Sequence, residues 1–113
     1  MLYCLDMPAV SVDLDALARV GRALADDTRR RLLVAILEGH HYPAELAAEL
    51  GLAKANVSNH LSCLRGCGLV VATPEGRRVR YELSDPRLAH ALADLAGLVL
   101  LVDDPDCRQV GRR

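Results

Sequence analysis

The sequence predicts a small, mainly α-helical domain that carries one β-hairpin. Apolar residues follow helical spacing through most of the chain, the pattern changes to alternation between positions 69 and 83, and helical spacing then resumes. The 113 residues are enough for one domain with its own core. A content of 51% hydrophobic and 26% charged residues is that of an ordinary globular protein rather than a disordered chain.

The predicted domain spans residues 11–102, between an N-terminal arm (1–10) and a polar C-terminal tail (103–113). The arm has neither a basic region nor a sustained apolar run, so we predict no signal peptide. We expect the protein to stay in the cytoplasm, where thiols are kept reduced. The four cysteines are then expected to be metal ligands, redox groups or core residues rather than disulfides: Cys4, Cys63, Cys67 and Cys107.

Two helices are predicted in the first third of the domain. Ser11 can cap the first helix, and acidic residues follow in its first turn, where the helix dipole favours them. Asp26 and Asp27 interrupt the apolar pattern and can cap the second helix, which Gly39 ends.

A helix-turn-helix is predicted next. Pro43 suits the first position of a short helix, and Gly51 closes that helix. A link of about four residues leads into a second helical stretch over residues 53–68. Two short helices joined in this way present the second helix to a DNA groove.

The helical stretch 53–68 has three distinct faces. Val57, Leu61 and Leu64 recur at helical spacing and predict a core-facing stripe. Small, polar or uncharged residues project the opposite way: Ala55, Ser58, Asn59 and Ser62. Cys63 and Cys67 lie four residues apart on the border, so two thiols can meet on one helix edge. A C-x-x-x-C spacing alone is a weak signal, because cysteine often only packs.

A basic hairpin is predicted immediately after this helix. Residues 69–73 form a β-type run, Pro74, Glu75 and Gly76 have turn chemistry, and residues 78–83 alternate. A helix-turn-helix followed by such a hairpin is a winged helix-turn-helix.

Basic residues concentrate in these two elements. The segment 54–81 contains one acid, although the chain has a net charge of -1. A basic patch on an acidic protein indicates a specific DNA contact. The basic residues of the segment are Lys54, Arg65, Arg77, Arg78 and Arg80. Aromatic content of 3% argues against base stacking on aromatic platforms.

Ser84, Asp85 and Pro86 are predicted to start the last helix, whose stretch 88–102 is apolar at all but His90, Asp94 and Gly97. It is shorter than the ~20 residues that span a bilayer. A helix that is apolar all round must be covered, and we expect the same helix of a second copy to cover it. The fold class is therefore a mainly α winged helix-turn-helix with a β-hairpin wing, forming a homodimer through terminal helices.

Several motifs resemble one known family. A-L-A-D-D-T-R-R-R-L-L-V, E-L-A-A-E-L-G-L, N-V-S-N-H-L-S-C-L-R-G-C-G-L-V and E-G-R-R-V-R-Y-E-L are similar to the ArsR/SmtB family of metal-responsive winged-helix repressors, over roughly residues 12 to 102. Within that family, S-N-H-L-S-C-L-R-G-C-G-L-V resembles the actinobacterial cadmium- and lead-sensing repressors. The resemblance implies that Cys63 and Cys67 bind the ion together with Cys107, which comes from the other subunit in that group. Cys4 stands where those sensors have an early cysteine.

The sequence departs from the family at two kinds of position. Asp27 replaces a common proline, and Ala53 stands where Ser or Thr usually caps the recognition helix, which should weaken that helix start by ~1 kcal/mol. The family's zinc site on the dimer helix needs paired ligands, and here only His90 and Asp94 are available. We therefore do not expect that zinc site.

The function expected from the sequence is a dimeric repressor of double-stranded operator DNA, released by a soft metal ion. Cadmium or lead is the expected effector, and zinc is a further candidate. Asn56, Ser58, Asn59 and Ser62 are expected nearest the bases, with the five basic residues on phosphates. No catalytic constellation is recognisable, so we predict no enzymatic activity. Two alternatives remain: a repressor of the same fold that senses oxidants through its thiols, and a constitutive DNA-binding dimer with structural cysteines.

Overall fold

A computed structural model describes residues 13–98, which form five α-helices and one β-hairpin. In chain order the elements are α1 (Leu14–Ala25), α2 (Asp27–Leu37), α3 (Pro43–Leu50), α4 (Lys54–Gly66), β1 (Val70–Glu75), β2 (Arg78–Leu83) and α5 (Pro86–Ala96). The predicted arm, the predicted tail and residues 99–102 lie outside the described residues.

The first two helices begin at aspartates. The Asp13 carboxylate accepts a hydrogen bond from the Ala16 amide (3.0 Å), and Asp26 accepts one from the Arg29 amide (2.9 Å). The prediction for Asp26 is confirmed, but the prediction that Ser11 caps α1 is wrong. Aspartate caps as well as serine does, so the site closer to the apolar run prevails.

The core lies among α2, α3, α4 and the base of the hairpin. Leu32 and Leu33 of α2 and Leu46 of α3 are completely buried. They pack with the inward stripe of α4 and with Leu69 and Val70 at the start of the wing. Burying such aliphatic side chains contributes roughly 1.5–3 kcal/mol each, so this cluster holds the helix-turn-helix together.

The helix-turn-helix is α3 and α4, joined through Gly51. Gly51 ends α3 in the left-handed conformation (φ 67°), where a side chain would be strained, and Pro43 occupies the first turn of α3. Both features confirm the sequence prediction.

The wing is a two-residue hairpin rather than the longer turn that the sequence suggested. Glu75 pairs with Arg78, and Pro74 pairs with Val79, so two of the three residues assigned to the turn lie in β1. Proline is tolerated there because a two-stranded sheet has only edge strands. Gly76 opens the turn with a φ of 61°, which a tight hairpin requires at this position.

Helix α5 is shorter than predicted. It ends at Ala96 with Gly97 as its C-cap, whereas the sequence suggested a helix to residue 102. Glycine costs about 1 kcal/mol relative to alanine inside a helix, which favours an end at Gly97, although α1 tolerates Gly21 in its interior. Within the described residues, no helix is both long enough and apolar enough to cross a membrane.

Leucines of the two terminal helices remain exposed to solvent. Leu14 and Leu17 of α1 are 71% and 63% exposed, and Leu95 of α5 and Leu98 beyond it are 51% and 56% exposed. An apolar cavity of about 210 Å³ opens between α1, α2 and α5, and of these four leucines Leu95 lines it. These terminal helices therefore leave an apolar surface uncovered in a single chain.

Candidate DNA-binding surface and thiol site

Helix α4 is anchored by one face only. Val57, Leu61 and Leu64 are 0%, 0% and 1% exposed, as the helical spacing predicts. The helix starts at Ala53, whose side chain offers no capping hydrogen bond. The core therefore sets the direction of α4, while its first turn is left without a side-chain acceptor.

The opposite face of α4 is open to solvent. Its polar and charged side chains take no part in any side-chain hydrogen bond among residues 13–98. They are the residues proposed from the sequence to contact DNA, namely Lys54, Asn56, Ser58, Asn59, Ser62 and Arg65. Donors and acceptors without internal partners are available to base edges and phosphates.

The wing arginines differ from one another in their surroundings. Arg77 and Arg78 are exposed, and the Arg78 guanidinium lies 3.4 Å above the centre of the Tyr42 ring. Arg80 is partly buried, with its Nε 3.2 Å from Glu82 and its Nη1 3.4 Å from the Tyr42 hydroxyl. Hydrogen bonds to Tyr42 and Glu82 raise the pKa of Arg80, so it stays a cation at every working pH.

A cleft of about 450 Å³ separates the wing from the helix-turn-helix. Lys54 and Ser58 of α4 line one side, and Arg77 and Arg78 line the other. Tyr42 and the start of α3 form the rest of its wall. The cleft joins the two basic elements into one surface, which the sequence predicted only as separate stretches.

The two thiols of α4 lie in different environments. Cys63 is exposed, whereas Cys67 is partly buried against the core. The Cys67 amide donates to the Cys63 carbonyl (3.0 Å), so helical geometry continues between them. Side chains four apart on a helix have Cβ atoms roughly 5–6 Å apart, within reach of a single ion.

An arginine and an aspartate connect Cys63 to the junction of α1 and α2. The Arg29 Nη1 donates to the Cys63 sulfur (3.9 Å), and Asp26 lies 3.8 Å from the Arg29 Nε. His60 Nδ1 is 3.9 Å from the same carboxylate. The backbone hydrogen bond from Arg29, and then the nearby His60, lower the pKa of Asp26.

Sequence reasoning missed Arg29 because its partner is 34 positions away. The only local signal is its position three residues after a capping aspartate, which orients its backbone but not its side chain.

Residues 13–98 supply two of the predicted soft ligands. Cys4 and Cys107, the other two, lie outside the described residues. In the described part of the chain, no three His, Cys, Asp or Glu side chains come together as a metal site. The α4 thiols suit a soft ion in chemistry and spacing, and such an ion would need a further ligand from another segment or a second chain.

The other histidines have separate roles. His40 Nδ1 is 3.2 Å from Glu45, and its Nε2 is 3.9 Å from Glu49. His90 and Asp94 are exposed on α5. The predicted absence of the family's dimer-helix zinc site stays a prediction.

Comparison with known proteins finds bacterial transcriptional regulators among the similar chains. Residues 26–71 match the family described as "Bacterial regulatory protein, arsR family". The HTH-type transcriptional regulator CmtR of Mycobacterium tuberculosis is 68% identical over 93 residues, covering 81% of this chain and 79% of the relative. The solution structure of that cadmium metal-sensor superimposes with a TM-score of 0.64 at 67% identity, covering 78% of this chain and 92% of the other.

Two further relatives extend the comparison. The "Probable mercury resistance operon repressor" of Streptomyces lividans is 48% identical over 75 residues, which are 66% of this chain and 60% of the relative. The homodimeric winged helix-turn-helix DNA-binding domain Mb0332 of Mycobacterium bovis superimposes with a TM-score of 0.68 at 31% identity, covering 80% of this chain and 87% of that one. Fold, site and relatives agree: the chain belongs to the arsR family of bacterial regulatory proteins and is a DNA-binding transcriptional regulator rather than an enzyme.

Proposed function

We propose that the chain is a homodimeric repressor that releases its operator when a soft metal ion binds Cys63 and Cys67. The observation that carries this proposal is the position of both thiols on α4, the helix whose outward face is available to DNA. A relative that senses cadmium and another named for mercury resistance support the choice of a soft ion. We propose cadmium or lead as the signal, with zinc as a further candidate ion. The protein would act in the cytoplasm, where bacterial operator DNA is found.

The dimer would form through α1 and α5. Both helices carry exposed leucines and both line one apolar cavity, and an isologous contact between two copies would bury the leucines and the cavity together. The Mycobacterium bovis relative is a homodimer of the same fold, which supports this arrangement. A two-fold dimer would place its two α4 helices in successive major grooves, roughly 34 Å apart on a pseudo-palindromic operator.

The contacts with DNA would divide between bases and phosphates. Asn56, Ser58, Asn59 and Ser62 project from α4 and would reach base edges. Lys54 and Arg65 of α4, with Arg77 and Arg78 of the wing, would bind phosphates on either side of the cleft.

The remaining ligands would come from segments that flank the described residues. We propose Cys107 as the third thiolate. Cys4 is a weaker candidate: it precedes α1, and Cys67 faces a cleft beside Ala16 and Arg19 of that helix. Thiolates are required for ligation, so metal affinity should fall as the pH falls.

Ion binding would weaken DNA binding through the shared helix. An ion that binds the free dimer more tightly than the DNA complex must lower DNA affinity by the same factor. Arg29 offers a physical route, because an ion that took the Cys63 sulfur as a ligand would compete for the electron pair that now accepts a hydrogen bond from the guanidinium. Arg29 would then turn towards Asp26 and change the contact between α4 and the start of α2.

An ultraviolet titration of the reduced protein with cadmium and with lead tests the site. We expect sulfur-to-metal charge-transfer absorption that saturates at stoichiometric metal. It should be abolished by Cys63→Ser or Cys67→Ser and weakened by Cys107→Ser, with Cys4→Ser as a comparison. The absence of this absorption in the wild type would contradict the proposal. In a parallel DNA-binding assay, release by peroxide without release by cadmium would favour the redox alternative. Release by neither would favour the constitutive one.

A further inference from the structure

We propose that Tyr42 is a positioning residue that prepares the wing for DNA by holding Arg78 extended and unpaired. The inference concerns DNA binding by this family member and does not depend on the metal proposal. Tyr42 precedes α3, and nothing in its local sequence distinguishes it as part of a binding surface. The hydrogen bonds and the cation–π contacts of its side chain, however, all go to residues of the wing.

The ring of Tyr42 stacks against the guanidinium of Arg78. The guanidinium carbon lies 3.4 Å from the ring centre, which is a close cation–π stacking distance. Stacking uses the flat face of the guanidinium and leaves its in-plane N–H donors free to bind a phosphate. Arg78 has no side-chain hydrogen bond or ion pair within residues 13–98, so stacking is what holds it in place there.

The hydroxyl of Tyr42 binds Glu75, the acidic residue that could otherwise pair with Arg78. Glu75 is the cross-strand partner of Arg78 and could pair with it directly. Instead, the Tyr42 hydroxyl donates to the Glu75 carboxylate at 2.7 Å, and the described residues contain no ion pair between Glu75 and Arg78. The Arg78 charge is therefore available to DNA rather than neutralised within the hairpin.

The same side chain engages Arg80 in a different way. Arg80 donates to the Tyr42 hydroxyl and pairs with Glu82, and it is partly buried between them. Arg80 thus donates to neighbouring side chains and acts through Tyr42, whereas the Arg78 donors have no side-chain partner among residues 13–98. This divides the two arginines, which the sequence alone assigned to the same phosphate-binding role.

The backbone next to Tyr42 fixes the wing to the helix-turn-helix. The Tyr81 amide donates to the His41 carbonyl (2.8 Å), and His41 Nδ1 lies 2.9 Å from the Tyr81 carbonyl, to which it donates. The segment before α3 therefore runs alongside β2. These bonds fix the position of Tyr42 relative to Arg78, and they join the wing and the helix-turn-helix into one DNA-binding unit.

Double-mutant cycles test the coupling between Tyr42 and Arg78. The probe is a duplex that the wild-type protein selects from a random-sequence library, and affinity is measured by fluorescence anisotropy. We expect Tyr42→Leu to lower affinity roughly three- to tenfold, and Tyr42→Phe, which keeps the ring, to lower it less. Adding Tyr42→Leu to Arg78→Gln should cause little further loss. The matched control is Arg77→Gln, an exposed wing arginine without a Tyr42 contact, to which the effect of Tyr42→Leu should add in full.

A second measurement separates the two arginines without altering Tyr42. Loss of one phosphate contact per subunit changes the slope of log affinity against log salt by about 0.9, or about 1.8 for the proposed dimer. We expect this change for Arg78→Gln and none for Arg80→Gln. The proposal is overturned if Arg80→Gln changes the slope as much as Arg78→Gln does. It is also overturned if Tyr42→Leu has equal effects in the Arg77→Gln and Arg78→Gln backgrounds. Thermal melting of each variant confirms that the protein compared is folded.

Discussion

Replacing Ala53 by serine should stabilise the protein through the first turn of α4. Ala53 is the N-cap of that helix and already has the extended backbone (φ −68°, ψ 144°) that a capping residue adopts. Its methyl group cannot accept from the amides of the first turn, which lack intrahelical partners. A serine hydroxyl at the same backbone geometry would accept one of these amides without rearrangement.

The expected gain is about 1 kcal/mol per subunit, the usual difference between alanine and serine at an N-cap. For a domain of this size that corresponds to a rise in melting temperature of about 4 °C. The assay is urea and thermal unfolding of reduced protein, with the protein concentration fixed because a dimer's stability depends on it. The matched control is Ala55→Ser, an exposed position in the same turn that cannot act as the cap. Equal effects at positions 53 and 55, or no gain at 53, would refute the reasoning.

Two other predictions concern the dimer surface and the start of α2. Leu95→Glu should shift the protein from dimer to monomer in sedimentation analysis, because it places a charge on the apolar surface of the terminal helices. Val71→Glu, on an exposed wing position, should leave the dimer intact, and an unchanged dimer in Leu95→Glu would argue against the proposed interface. Asp26→Ala should cost about 1 kcal/mol near neutral pH through loss of the cap. Because the pKa of Asp26 is lowered in the folded state, its contribution to stability is present above the ordinary carboxyl value of 3.8 and is lost as the pH falls through the folded-state pKa. Urea unfolding should therefore find that the free energies of unfolding of wild type and variant converge in acid. A difference that stays constant with pH would contradict this.

The sequence predicted α4 and its buried face accurately because the evidence is local. Val57, Leu61 and Leu64 fall on one side of any α-helix, and their neighbours left no competing pattern. The end of α3 was equally readable, since Gly51 takes a conformation that other residues avoid. The wing as a whole was predicted from a β-type run and an alternating run on either side of turn residues.

Where two local signals competed, the prediction was less accurate. Pro74 and Glu75 have turn propensities, but pairing with β2 draws them into the strand and shortens the turn to two residues. The apolar run after residue 88 favoured a long helix, yet Gly97 ends α5. In both places a packing or backbone cost outweighed composition.

Contacts between distant residues were beyond the reach of the sequence. Tyr42 meets Glu75 and Arg80 across 33 and 38 positions, and Arg29 meets Cys63 across 34. No periodicity connects such pairs, since their meeting depends on how the hairpin and α2 pack around α4. The sequence was enough to propose residues for DNA contact, but it did not identify the side chains that position them.

The central claim is that one helix both reads the operator and receives the signal. The most direct test measures operator affinity by fluorescence anisotropy, with and without stoichiometric cadmium, for the wild type and for Cys63→Ser plus Cys67→Ser. We predict that cadmium weakens wild-type binding at least tenfold, while the double variant binds DNA as tightly as the metal-free wild type and does not respond. Cadmium-induced release that persists in the double variant would contradict the account.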